Sequence, residues 1–228
     1  MGQKIGAAAC CPEAYELGEW DFYNITLKVT SDVLIPRPDS EHLVDIALEF
    51  LRRDARGRLP CKILDLCCGS GCIGLAVEAN YPGVTVTYGD ISEPALAVAR
   101  SNGCRDVRTL DALSPPPSEL LGTYGVFVCN PPYAAPGDPA LDASVSDFEP
   151  HIALFGGADG LDFYRSLLPD WLAALRPGGL FAVEVGYDQA ETVLRIAQDA
   201  GLDNVSIRKD YAGHDRVVFG YRKANDDG

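Results

Sequence analysis

The chain has 228 residues, 47% of them hydrophobic and 23% charged, with a mean hydropathy of +0.00. That composition describes a globular protein with a core of its own, in one large domain or one domain with a small appendage. The formal charge of −14 disfavours a nucleic-acid partner, whose phosphates require a basic face, and no apolar run approaches the ~18 residues of a membrane span.

Residues 1 to about 14 read as a loose tail. Their start, MGQKIGAAACC, is too short in apolar residues for a secretory signal, and Gly6 stands where myristoylation needs Ser or Thr. Residues 20–36, rich in aromatic and β-branched side chains and punctuated at Asn24 and Thr30 to Asp32, predict a hairpin. Asp39 or Ser40 then caps a helix to about Arg53. From Lys62 a regular alternation begins. The segments KILDL, VTVTYGD, VRTLDA, GVFVCN, GGLFAVEVG, VSIRKDY and RVVFGYR read as seven strands. Helices are expected at CIGLAVEAN, from Glu93 to Ser101 with Ser92 as cap, from about Leu161 to Leu175, and from Asp188 to Ala200. A long loop follows the fourth strand as far as about Ala158, and the short AGHD turn implies an antiparallel last pair. The pattern is a doubly wound α/β sheet with an antiparallel last strand.

The eight cysteines are Cys10, Cys11, Cys61, Cys67, Cys68, Cys72, Cys104 and Cys129. They form no Cys-x-x-Cys pair and do not read as a disulfide framework, and with three histidines a zinc site is disfavoured. A reducing, cytoplasmic compartment is expected. His42, His151 and His214 read as structural or surface residues.

Ligands of an open α/β sheet bind at the carboxyl ends of its strands. Four features lie there. Gly69 and Gly71 form a turn after the first strand that lets a backbone approach a nucleotide-type ligand. Asp90, some twenty residues on, can accept hydrogen bonds from ribose hydroxyls, or serve as a helix cap. Asp111, after the third strand, can meet an adenine edge or simply occupy a surface loop. Asn130-Pro131-Pro132-Tyr133 ends the fourth strand. Its prolines fix the backbone, so the Asn130 amide and the Pro131 carbonyl can face a cleft as two acceptors for a planar –NH2 group, with Tyr133 as a flat face.

This NPPY motif on this sheet resembles that of amino-group methyltransferases that use S-adenosyl-L-methionine. GEWDFYNITLKV, VLIPRPDSEHLVD, ILDLCCGSGCIGLAV, GDISEPALAVAR, NPPY, FEPHIALFGGADGLDFYR, LRPGGLFAVEVG and KDYAGHDRVVFG together resemble the HemK/PrmC family, which methylates a glutamine of translation release factors. The resemblance spans about Leu17 to Arg222. It implies a Rossmann-like class I methyltransferase: a seven-stranded, mostly parallel sheet with an antiparallel last strand, preceded by a β-hairpin. The expected organisation is a tail (1–14), a hairpin-and-helix lid (15–56) and a catalytic domain (57–228). The implied reaction passes a methyl group to the glutamine amide nitrogen of a GGQ motif and leaves S-adenosyl-L-homocysteine, with no metal. The implied cofactor residues are Phe22, Asp65, Gly69, Gly71, Asp90, Asp111 and Asn130. Asn130, Pro131, Pro132 and Tyr133 would hold the substrate amide. Arg37 and Glu41 would position the hairpin, and Arg37 and Glu149 would border the substrate channel.

The sequence departs from the family in three places. It lacks the family's N-terminal helical domain, so it reads as a stand-alone or truncated member. DLCCGSG replaces the usual DLGTGSG, which obliges the backbone at Cys67 to carry a Cβ where the family has glycine. The connection SNGCRD is short. Three other readings stay open. The first is a small-molecule amine or amide N-methyltransferase. The second is an NAD-dependent oxidoreductase, through the literal GxGxxG of Gly69 to Gly74. The third is a non-catalytic partner-binding subunit on the same fold.

Overall fold

The structure, a computed structural model, describes residues 11–54, 61–139 and 141–224. A short helix, α1 (Glu13–Leu17), precedes the hairpin β1 (Glu19–Phe22) and β2 (Ile25–Lys28). Residues 1–10 of the expected tail lie outside the described residues, and Glu13 and Ala14 already belong to α1. A 3-10 turn (Pro38–Ser40) leads into α2 (Glu41–Asp54). The chain then runs β3 (Lys62–Leu66), α3 (Cys72–Asn80), β4 (Thr85–Asp90), α4 (Glu93–Ser101), β5 (Asp106–Thr109) and β6 (Tyr124–Cys129). After α5 (Ala143–Phe148), α6 (His151–Leu154) and α7 (Asp162–Ser166) come β7 (Leu175–Glu184), α8 (Ala190–Asp199), β8 (Leu202–Lys209) and β9 (Asp215–Arg222).

Seven strands form one sheet in the order β5-β4-β3-β6-β7-β9-β8. β5, β4, β3, β6 and β7 pair in parallel, and β9 pairs antiparallel with both β7 and β8. The last strand therefore slots inside the sheet. The chain winds outward from β3 through β4 to β5, then returns to β6 on the other side of β3, which places a switch point at the carboxyl ends of β3 and β6.

Both faces of the sheet are covered, which is why its central strands read as unbroken apolar runs. Alternate residues divide between two cores. Ile63, Val126, Val128, Leu180 and Ala182 pack with Leu43, Ala47 and Leu51 of α2 and with α3. Leu64, Leu66, Phe127, Cys129, Phe181 and Val183 pack with Tyr164, Trp171 and Val193 on the other face.

Three local expectations are corrected. Ser40 does not cap α2, because its hydroxyl bonds Glu184 instead. The single helix expected from Leu161 to Leu175 breaks after α7 into a π turn (Leu167–Trp171) and a 3-10 turn (Leu172–Ala174). Pro169 sits inside it, and proline has no N–H and crowds the preceding turn. The long loop after β6 contains α5, capped by the Asp142 carboxylate through the Ser144 N–H at 2.7 Å, and α6.

Candidate active site

Two adjoining cavities open at the carboxyl end of the sheet. The first, of about 300 Å³, is lined by Gly69, Ser70, Asp90, Asp111, Asn130 and Phe163, among others. The second, of about 310 Å³, is lined by Pro131, Tyr133, Tyr187, Gln189 and Arg216. Leu34, Arg37, Asn130 and Ala153 line both.

The turn after β3 shapes the floor of the first cavity. Gly69 takes φ +53°, and a Cβ built there meets nothing within 4 Å, so this residue opens onto the cavity. Gly71 takes φ +83°, but a Cβ there would lie 2.4 Å from Cys104 Sγ. Gly71 therefore faces the core and does not line the cavity, because its missing side chain makes room for Cys104 and Tyr88. Cys67 has φ +57°, the left-handed conformation expected where a glycine has been replaced. Asp65 lies beneath the turn, fully buried. Its Oδ2 accepts from the Gly74 N–H at 2.9 Å, and its Oδ1 has no partner. Burial, with a smaller push from the Asp90 charge, raises the Asp65 carboxyl to about 7.

Asp90 lines the cavity and holds its own loop. One oxygen accepts from Gly69 N–H and the other from Ser92 N–H, both at 2.9 Å. Burial raises its pKa against those bonds. Ser92 takes the cap of α4, accepting from the Ala95 N–H at 3.3 Å. Asp111 also lines the cavity, with its carboxylate engaged by Leu113 N–H at 2.9 Å and the Ser114 hydroxyl at 2.7 Å. Ile91, Leu113 and Ile152 leave about half their surface exposed on the same cavity's wall.

Phe22 is corrected. It is 3% exposed, packs in the core with α2 and does not line the cavity. The hairpin is tied down instead by polar contacts. Glu41 accepts from Tyr23 N–H at 2.8 Å. Asn102 accepts from Lys28 N–H at 2.8 Å and donates to the Ser70 carbonyl at 3.0 Å, linking hairpin to glycine turn.

At the second cavity, Pro131 and Tyr133 are lining residues, whereas Pro132 turns toward the first cavity. Gln189 donates to the Tyr133 carbonyl at 2.9 Å and so holds the motif's backbone from the loop after β7. Glu149 does not border either cavity. It is 4% exposed and binds Arg37 and the Ile35 N–H, pinning the segment before α2 to the loop after β6. Arg37 does line both cavities. The structure adds two polar residues that the motif reading passed over. Asn130 Nδ2 donates to Ser40 Oγ at 3.1 Å, Ser40 Oγ donates to Glu184 Oε2 at 2.6 Å, and Tyr133 donates to Glu184 Oε1 at 3.1 Å. Glu184 was visible as a lone carboxylate in the apolar strand FAVEVG. Among the described residues no group of His, Cys, Asp or Glu is placed to hold a metal ion, and no helix is long and apolar enough to cross a membrane.

Residues 39–146 match the methyltransferase small domain family. The protein-(glutamine-N5) methyltransferase (release factor-specific) of Alicyclobacillus acidocaldarius superposes with a TM-score of 0.51 at 28% identity, covering 86% of this chain and 99% of that one. Sheet order and hairpin are those of a class I methyltransferase. Sequence narrows the class. The chain is 41% identical to the release factor glutamine methyltransferase of Caulobacter vibrioides over 92% of its length and 73% of that protein's. It is 38% identical to that of Clostridium acetobutylicum over 92% and 75% respectively. The chain belongs to the release factor glutamine methyltransferase family.

Proposed function

We propose that this protein methylates the side-chain amide nitrogen of glutamine in the GGQ motif of a translation release factor, in the cytoplasm, with S-adenosyl-L-methionine as donor. The observation that carries the reading is the place of Asn130, which lines both cavities at once with its amide nitrogen tied to Ser40. Its side-chain oxygen is then left for an acceptor –NH2, beside the Pro131 carbonyl.

The first cavity fits the donor. Ser70 Oγ, on its wall, is a buried polar atom with no oxygen or nitrogen partner, suited to the polar tail of the donor. Asp90 and Asp111 offer remaining lone pairs for ribose and adenine, and Ile91, Leu113 and Ile152 form an apolar rim for a flat ring. S-adenosyl-L-methionine supplies a methyl group already activated on a sulfonium.

The residues of this chain then have one main task, alignment. A neutral amide nitrogen is a poor nucleophile because its lone pair is delocalised. Two hydrogen bonds from its N–H groups, to Asn130 Oδ1 and the Pro131 carbonyl, raise its electron density and aim it across the boundary between the cavities. Holding two reactants in such a pose can supply roughly 7–11 kcal/mol of a barrier. Tyr133 forms one wall of the acceptor cavity, its phenol held neutral by burial and by the adjacent Glu184 charge.

Incubation with labelled S-adenosyl-L-methionine and full-length release factor tests this. Label should enter the glutamine of the GGQ motif. Asn130→Ala should reduce transfer by about 10²-fold or more, as loss of a positioned polar group does, while S-adenosyl-L-homocysteine binding changes little. No label on glutamine would turn the reading to a small-molecule amide or amine acceptor.

A further inference from the structure

We infer that Ser40 and Glu184 are positioning residues that fix the direction of the Asn130 amide, and so make the acceptor site select an –NH2 group over a carboxylate. The inference rests on the proposed glutamine acceptor and adds what sets its polarity.

An asparagine amide is nearly symmetric in shape. Either its oxygen or its nitrogen could face the acceptor, and the two choices recognise opposite partners. The neighbouring bonds decide between them. Glu184, at the end of β7, is 1% exposed and receives two hydroxyls, Ser40 at 2.6 Å and Tyr133 at 3.1 Å. An ionised carboxylate can only accept, and 2.6 Å is the length of a hydroxyl bonded to a carboxylate. Burial pushes the Glu184 carboxyl pKa up, and against it the Ser40 hydroxyl and then the Arg216 charge favour the ionised form.

Ser40 has a single hydroxyl hydrogen, and Glu184 takes it. The Ser40 oxygen can then only accept, so it must meet the amide nitrogen of Asn130, which lies 3.1 Å away. The reversed amide would set oxygen against oxygen with no hydrogen between them. Ser40 is 2% exposed, and its hydroxyl donates to Glu184. Direction thus passes from Glu184 through Ser40 to Asn130, and the Asn130 oxygen is turned toward the acceptor. A glutamine amide can donate to it. A glutamate side chain, carrying only acceptors, cannot.

The test compares wild type, Ser40→Ala, Ser40→Thr and Glu184→Gln in the presence of S-adenosyl-L-homocysteine. Each is titrated by calorimetry with full-length release factor carrying either Gln or Glu at the third position of the GGQ motif. The turnover number on the glutamine form is measured alongside. Wild type should prefer the glutamine form. Ser40→Ala frees the Asn130 amide to turn. Glu184→Gln can donate to Ser40 and release its hydrogen toward Asn130. In both variants the preference for Gln over Glu should fall about tenfold, the equivalent of one hydrogen bond, and turnover should fall with it. Ser40→Thr, which keeps the hydroxyl, should restore both. S-adenosyl-L-homocysteine affinity should stay within about twofold.

A preference unchanged in Ser40→Ala, even with reduced turnover, would overturn the inference and leave Ser40 a packing residue. If Glu184→Gln lacks a cooperative melt, Ser40→Ala and Ser40→Thr decide alone. Wild type that methylates the glutamine while the variants keep its preference defeats only this inference. Wild type that does not methylate the glutamine defeats the proposed function and this inference with it.

Discussion

Arg37 and Glu149 form an ion pair across 112 residues of sequence, and burial is unequal between them: the Glu149 side chain is 1% exposed and the Arg37 side chain 35%. The same carboxylate accepts the Ile35 N–H at 3.0 Å. One buried group therefore anchors the segment that carries Arg37 and Ser40 over both cavities.

This asymmetry predicts unequal costs. Arg37→Ala leaves a buried carboxylate with only the Ile35 N–H. Removing one partner of a fully buried pair costs about 3–5 kcal/mol, and the partial exposure of Arg37 reduces this to about 2–3 kcal/mol. Glu149→Gln keeps an acceptor for Ile35 and releases Arg37 to water, at a cost of about 1 kcal/mol. Urea denaturation of the two variants measures the difference. Equal losses, or a larger loss for Glu149→Gln, would contradict the account of Glu149 as the buried anchor.

The turn after β3 gives a second prediction. Cys67 is a non-glycine residue at φ +57°. Left-handed backbone costs an L-residue about 1–2 kcal/mol, and glycine returns part of that as chain entropy in the unfolded state. Cys67→Gly should therefore melt at or slightly above wild type. Gly71→Ala should behave oppositely, because φ is +83° and the new Cβ would lie 2.4 Å from Cys104 Sγ. Its expected loss is about 2–4 kcal/mol. Thermal melts of both place them on opposite sides of wild type or nearly so. A Cys67→Gly protein as damaged as Gly71→Ala would show that the thiol contacts outweigh the backbone conformation.

How far the site was legible follows from what each signal encodes. A parallel sheet covered on both faces writes its strands as apolar runs, so KILDL and GVFVC stood out, and with them the strand ends that carry Gly69, Asp90 and Asn130. A motif gives residue type and position but not the direction a side chain takes. Gly71 and Phe22 therefore read as cavity residues although both serve the core. Glu149 read as a channel residue although it is an internal anchor. Ser40 read only as a helix cap, and the structure shows the hydroxyl spent on Glu184. That contact joins positions 144 apart, a separation no local pattern reports. The short α5 and α6 lack the length for apolar periodicity, so nothing in the sequence separated them from loop.

Asp65 supplies a prediction in pH. Its side chain is fully buried, Oδ1 has no partner, and burial raises its pKa from 3.8 to about 7. A raised folded value means that the native protein holds this proton more tightly than the unfolded chain between those limits. The resulting stabilisation is fully present below pH 3.8 and disappears as pH rises through about 7. Asp65→Asn cannot ionise and carries no such term, while its amide oxygen can still accept from Gly74 N–H. Apart from Asp90, whose charge is weakly coupled to Asp65, other groups titrate alike in the two proteins, so their difference reports chiefly on position 65. Between pH 5 and pH 8 wild type should lose roughly 2–3 kcal/mol of stability relative to Asp65→Asn. Urea unfolding of both proteins at the two pH values measures it. A difference that stays constant would mean that Asp65 is already ionised at pH 5, with its second oxygen partnered.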